Sequence, residues 1–266
     1  MSRARLHSAQ FITGRAIFLL FLVLCQRANA AEVLQEISEH VYPLDSGGAI
    51  SIHAIDGSVL LYAGEREDVS IKTIKKAYSQ DRFKNIQIDV KATPKEVALE
   101  TIIAPGKTRF GLTDRSGTVD CVIIVPQTSR VTKLEMANGE VLIAGLRGGT
   151  VTAHLVNGFM TVYDCFGNLD LTTENGRLEV VYNWSEDNKF SLRLCNSQGL
   201  IRTRFPSDAS VSVKARTQTG AIVNALAGQS NLSEPVRSLE FTTAADPVTT
   251  CEIRSTNGNI RIEQTY

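Results

Sequence analysis

Glycine returns along the second half of this chain at a nearly fixed interval, and that spacing limits the accessible folds more than any other feature. From residue 138 the chain reads Asn138-Gly139-Glu140-Val141, Gly148-Gly149-Thr150-Val151, Asn157-Gly158-Phe159-Met160, Phe166-Gly167-Asn168-Leu169 and Asn175-Gly176-Arg177-Leu178. The gaps between Gly139, Gly149, Gly158, Gly167 and Gly176 are 10, 9, 9 and 9 residues. The pattern loosens and returns at Gly199, Gly220 and Gly258, and it occurs once upstream at Asp56-Gly57-Ser58-Val59. Apolar and polar residues alternate after each glycine, which is the period of a strand, and Asn-Gly supplies the positive φ of a sharp corner. A unit of about nine residues is then one strand and one corner, too small to bury an apolar face alone, so units must stack.

Two arrangements satisfy this: an antiparallel meander of hairpins, or a parallel β-solenoid whose corners bend the chain onward. The Asn-Gly corners recur 19 and 18 residues apart, with the weaker corners Gly149 and Gly167 between them. That rhythm favours a solenoid with about two strands per coil. Two and four residues after the corner glycines lie Val141/Ile143, Met160/Val162, Leu178/Val180, Ile201/Thr203, Ile222/Asn224 and Ile260/Ile262. Seven and five before them lie Val151/Ala153, Leu169/Leu171, Leu192/Leu194, Val213/Ala215 and Cys251/Ile253. One face of every strand is thus expected to meet a shared aliphatic stack. The 38-residue gap between Gly220 and Gly258 reads as a stretched coil.

Residues 31–137 alternate in longer runs with ordinary hairpin spacing, including Ala49–His53, Val69–Lys72 and Ile86–Val90. The expected fold is all-β: an antiparallel, sandwich-like N-terminal part (31–137) continuing into the solenoid (138–266) as one domain.

Residues 1–30 read as a secretory signal peptide. Arg3, Arg5 and Arg15 precede the apolar run Ala16–Cys25, and Ala28-Asn29-Ala30 is a small-x-small site, so cleavage is expected between Ala30 and Ala31. The run is half the length of a membrane span, and no later segment approaches one. The segment removes four arginines and no acid, leaving 24 bases against 28 acids. That balance argues against nucleic acid as a partner. Four cysteines remain, Cys121, Cys165, Cys195 and Cys251, with three pairings open to them. No Cys-x-x-Cys occurs and no histidine lies near a cysteine, so neither a metal ligand set nor a cofactor motif is legible.

With the repeats in place, the chain resembles the bacterial DUF4097 family, whose members are labelled adhesins. The likeness rests on Asp56-Gly57-Ser58-Val59 leading into Gly64-Glu65-Arg66-Glu67-Asp68-Val69. It rests also on Ile123-Ile124-Val125-Pro126 followed by Leu134–Val141, and on the serial Asn-Gly-x-aliphatic corners, and it covers most of residues 45–266. The resemblance implies a surface or periplasmic β-solenoid without a known catalytic site.

Enzyme motifs are mostly missing. Asp45-Ser46-Gly47-Gly48 has the composition of a serine-protease nucleophile segment, but His40 is the sole nearby base, and the segment reads as a glycine-rich turn. Outward acids Glu140, Asp170, Glu179 and Glu252 fall on different coils or faces, so no pair flanks a glycosidic bond. Two outward features stand apart. Arg193, Lys214, Arg216 and Arg254, with Arg202 and Arg204, form basic rows suited to an acidic glycan, a lipid headgroup or an acidic protein face. Phe159, Tyr163, Val181 and Leu200 form an outward apolar set. The expected function is a non-enzymatic, adhesin-like binding or scaffolding role at the cell envelope, with a periplasmic stress sensor as the alternative and a carbohydrate-active enzyme behind both.

Overall fold

The computed structural model describes residues 33–265 apart from 105, 107, 110, 111, 114, 115 and 227–235. The expected cleavage site at Ala30 and Ala31 lies outside the described residues. In chain order the elements are β1 (Leu34–Pro43), β2 (Ala49–Gly64), β3 (Asp68–Ala77), a one-turn helix α1 (Gln80–Lys84), β4 (Ile86–Thr93), β5 (Glu96–Ile103), β6 (Thr108–Arg109), β7 (Leu112–Thr113) and β8 (Thr118–Pro126). They continue as β9 (Arg130–Ala144), β10 (Arg147–Tyr163), β11 (Phe166–Val181), β12 (Phe190–Phe205), β13 (Val211–Thr217), β14 (Ile222–Asn224), β15 (Ser238–Thr242) and β16 (Thr249–Gln264). The protein is all-β. Among the described residues, one mixed sheet holds 14 of these strands, and β6 and β7 pair separately.

The centre of the sheet is a parallel run, β2-β9-β10-β11-β12-β16. Its register is set by the corners: Gly57, Gly139, Gly158, Gly176, Gly199 and Gly258 are successive partners. Two residues on, Val59, Val141, Met160, Leu178, Ile201, Ile260 and Ile222 form one column, all fully buried. A second column ahead of the corners holds Ile50, Val131, Val151, Leu169, Leu192, Cys251 and Val213. The stack expected from the spacing is therefore present, and it carries the core.

The corners require glycine for two reasons. Gly158 and Gly176 have φ of 132° and 140°, and a Cβ on Gly176 would lie 1.8 Å from the Gly158 carbonyl oxygen. Each strand thus packs its backbone against the glycine before it. The asparagine ahead of each corner does further work, because the Asn175 amide donates to Asn157 Oδ1 (3.1 Å), Asn157 to Asn138 Oδ1 (2.8 Å) and Asn138 to Asp56 Oδ1 (2.7 Å). This ladder satisfies amides that would otherwise depend on water. Gly149 and Gly167 differ. They also pack against backbone oxygens, but the positive φ beside them belongs to Gly145, Gly148 and Asp164.

Where strands connect, an aromatic pile closes the fold. Phe166 lies 5.3 Å from Tyr182 and 5.4 Å from Trp184, and Tyr182 stacks on Phe205 at 5.9 Å. Arg147 covers Phe166 and Trp184 and pairs with Glu186.

Two features depart from the sequence reading. First, strands do not follow chain order at the C-terminal end: β16 lies between β12 and β13, so Gly258 follows Gly199 in space and Gly220 packs on Gly258. The segment 211–224 is broken into β13 and β14, whereas β16 is unbroken and matches β12 from Phe190 to Phe205, so β16 gains the longer ladder. Within the stretched unit, β15 pairs antiparallel with β13. Second, the N-terminal part is not purely antiparallel. β4–β5, β3–β8 and β1–β3 are antiparallel, but β2 runs parallel to β5, β8 and β9. β9 also runs through residues 137 and 138 without a break.

Candidate functional site

Outward residues ahead of the corners form two neighbouring rows, and their electrostatics differ. The first row reads Asp170, Arg193, Glu252, Lys214 and Glu240 across five strands. Its signs alternate, and Lys214 Nζ lies 2.9 Å from Glu240 Oε1. Opposite charges facing across strands stabilise a sheet, so this row neutralises itself. The second row reads Thr172, Cys195, Arg254, Arg216 and Ser238. Here Arg254 and Arg216 are direct register partners with no acid in the row. Like charges in that position are destabilising. Arg254 leans back to Glu252 on its own strand (Nε···Oε1 2.9 Å). Arg216 has no ion-pair partner among the described residues, and neither has Arg237, the residue before β15.

These groups line an open groove of about 920 Å³. Its ionic lining is Lys214, Arg216, Arg237 and Arg254 against a single acid, Glu252, and its remaining polar lining includes Thr172, Ser197 and Gln218. The groove therefore offers guanidinium donors and neutral hydrogen-bonding groups with little competing negative charge. That is chemistry for carboxylate, phosphate or sulfate oxygens.

The other predicted basic row behaves differently. Arg204 lies 3.1 Å from the buried Glu179, and Arg202 Nη2 donates to Glu263 Oε1 at 3.4 Å. Arg202 and Arg204 thus cross-link strands: spacing placed them outward but did not show the acids in register beside them. Arg193 is outward and flanked in register by Asp170 and Glu252. Arg237 was missed, because it lies outside the repeat and only β15 brings it to the groove. Of the apolar set, Phe159 and Tyr163 are exposed, Leu200 is half-buried, and Val181 is buried, contrary to expectation.

The chain shares its fold with a solved bacterial protein. A crystal structure from Clostridium sporogenes, described as a candidate cell adhesion protein, matches with a TM-score of 0.50 at 14% identity, over 86% of this chain and 100% of that one. A candidate adhesin from Bacteroides fragilis matches with a TM-score of 0.30 at 12% identity, over 85% of this chain and 97% of its own. A candidate lipid-binding protein from Parabacteroides distasonis matches with a TM-score of 0.32 at 10% identity, over 87% and 97%. No family model matches the sequence, and no curated protein matches it.

The remaining chemistry is quiet. Asp45–Gly48 is a turn in which the Gly48 N–H donates to the Asp45 carbonyl (2.9 Å). All four cysteines are free: Cys121, Cys165 and Cys251 are buried, and Cys195 is half-buried beside Arg254. Burial pushes the Cys121 and Cys165 thiols up to about 12 and raises Cys251 as well. Among the described residues no group of three His, Cys, Asp or Glu side chains is placed to hold a metal, and no helix is long and apolar enough to cross a membrane.

Proposed function

We propose that this chain is an exported, adhesin-like β-solenoid that binds an anionic partner of the cell envelope or surface through the Arg216–Arg237–Arg254 groove. The solenoid reading follows from chain length. β10 ends at Tyr163 and β11 starts at Phe166, yet the two are parallel neighbours in register. An extended strand of 17 residues would carry the chain some 55 Å away, beyond the reach of a two-residue connection. A fold-back of each strand at its corner glycine, with its two halves in facing layers, accounts for that short connection.

The observation that carries the binding reading is the contrast between the two rows. The same face neutralises itself in one row and leaves Arg254 and Arg216 adjacent in the next, with Arg237 beside them. A fold that pairs charges elsewhere, and leaves Arg216 and Arg237 without an acid among the described residues, supports a site for an acid from outside. The fold shared with a protein named for cell adhesion supports attachment over turnover.

Titration of the 31–266 chain with polygalacturonate, inorganic polyphosphate and anionic phospholipid vesicles, with dextran as neutral control, tests this. At least one anionic probe should bind, with affinity that falls as salt rises. Arg216→Glu with Arg237→Glu should weaken binding by about tenfold or more. Equal binding of dextran, or cleavage of polygalacturonate, overturns the reading. Cell fractionation with N-terminal sequencing at Ala31 tests export.

A further inference from the structure

The charge left over at the arginine groove is two, and both units sit at one place. The two outward rows and Arg237 together hold five bases, Arg193, Lys214, Arg216, Arg237 and Arg254, and three acids, Asp170, Glu240 and Glu252. Geometry assigns each acid. Glu240 takes Lys214 at 2.9 Å. Glu252 accepts from Arg254 Nε at 2.9 Å. Asp170 faces Arg193 across the β11–β12 ladder. Two guanidiniums remain, Arg216 and Arg237, and neither has an ion-pair partner among the described residues.

These two belong to hydrogen-bonded neighbours. Arg216 of β13 is in register with Ser238 of β15, and the Thr217 N–H donates to the Arg237 carbonyl at 2.9 Å. Their strands are roughly 4.8 Å apart, and both side chains line the same groove. One small group can therefore meet both. A carboxylate or a sulfate ester brings a single negative charge, so one guanidinium stays unmatched beside it. A phosphate monoester carries about −1.5 to −2 at neutral pH on three terminal oxygens. It matches the charge and offers oxygens to two guanidinium forks at once. Glu252 sharpens this difference. Arg254 is the register partner of Arg216 and also lines the groove, but a carboxylate already holds it. A ligand carboxylate that took Arg254 would exchange one carboxylate for another and gain little.

We infer that the groove takes a phosphate monoester between Arg216 and Arg237, and that Glu252 is a specificity residue that sets this preference by keeping Arg254 occupied. The inference rests on the anion-binding reading of the groove and adds the class of anion. Thr172, Ser197 and Gln218 supply neutral hydrogen-bonding groups for whatever carries the phosphate. The monoester can sit on a soluble molecule or on a lipid headgroup, since the guanidiniums meet the same oxygens in either.

Titration of the 31–266 chain with phenyl phosphate, phenyl sulfate and benzoate tests this, because the first two differ in charge at nearly constant shape. A second arm compares phosphatidylcholine vesicles containing phosphatidate, a monoester, with vesicles containing phosphatidylglycerol, a diester. The monoester should bind about tenfold tighter or more than its counterparts in at least one arm, and the arm that shows it identifies the carrier. Arg216→Gln, at an exposed position, should cut monoester affinity about tenfold or more and remove the preference. Glu252→Gln frees Arg254 and should raise the affinity for phenyl sulfate and benzoate several-fold, narrowing the preference; Asp170→Asn removes an equal charge that holds no groove arginine and should not. No preference for the monoester in either arm overturns the inference, as does an unchanged preference in Glu252→Gln or equal effects of Glu252→Gln and Asp170→Asn. A chain that binds polygalacturonate through Arg216 and Arg237 without preferring monoesters sinks this inference and leaves the proposed function standing, whereas a chain that binds no anion sinks both.

Discussion

At the scale of single residues, the corner glycines set the strictest demand. At Gly176 a methyl group would meet the Gly158 carbonyl at 1.8 Å, on a backbone whose φ of 140° disfavours any L side chain. Gly176→Ala should cost about 3 kcal/mol or more in urea unfolding, since neither neighbour is a flexible side chain. Gly148 also has positive φ (71°), but nothing lies within 4 Å of its Cβ position, so Gly148→Ala should cost only about 1 kcal/mol. The buried thiols give a second expectation. Cys121 and Cys165 ionise near 12 in the folded chain against an ordinary 9.0. A raised folded value means full stabilisation below pH 9 and its loss between 9 and 12, as thiols of the unfolded chain ionise first. Urea midpoints should therefore decline over that interval. At neutral pH a thiol reagent should label Cys195 alone in the native protein and all four cysteines after unfolding. Gly139, Gly158 and Gly176 were legible in the sequence because a backbone contact this close excludes every other residue. Arg237 was not, because nothing local marks the residue before a short edge strand.

At the scale of elements, inward columns were readable wherever the repeat is even. Val141, Met160 and Leu178 each lie two residues past a corner glycine, and register simply follows the glycines. The reading failed at β13 and β16. Val213/Ala215 and Cys251/Ile253 present the same inward pattern, so alternation alone cannot say which strand joins β12. Ladder length decides between them, and that is a property of the folded chain. Removing residues 249–266 should therefore do more than shorten the stack. It leaves β12 and β13 without their shared neighbour, and hydrogen exchange should show protection lost in both, with β9 and β10 little changed. The aromatic pile was also illegible, because Phe166, Tyr182 and Phe205 are scattered in sequence and meet only where the connections stack. Phe205→Ala should cost about 3–5 kcal/mol, read by the same urea titration.

At the scale of the whole molecule, net charge misleads. The chain without residues 1–30 has more acids than bases, yet the acids are spent on neighbours: Glu179 on Arg204, Glu240 on Lys214 and Glu252 on Arg254. What remains at the groove is positive. The basic rows were half legible: outward position follows from alternation, but whether a charge is free depends on which strand lies beside it. The N-terminal strands were legible as strands, while the parallel pairing of β2 was not, because a lone corner at Gly57 does not announce that it begins the stack.

The insertion of β16 also bears on when this protein becomes whole. The seam between β12 and β13 is closed by β16, which follows both in the chain, so it stays open until that strand has been made. Made from the amino end, the chain can pair β2 and β9 to β12 early, but the sheet beyond β12 must wait for β16. A polypeptide cut before residue 249 is thus left with an unfilled seam that any protease can meet.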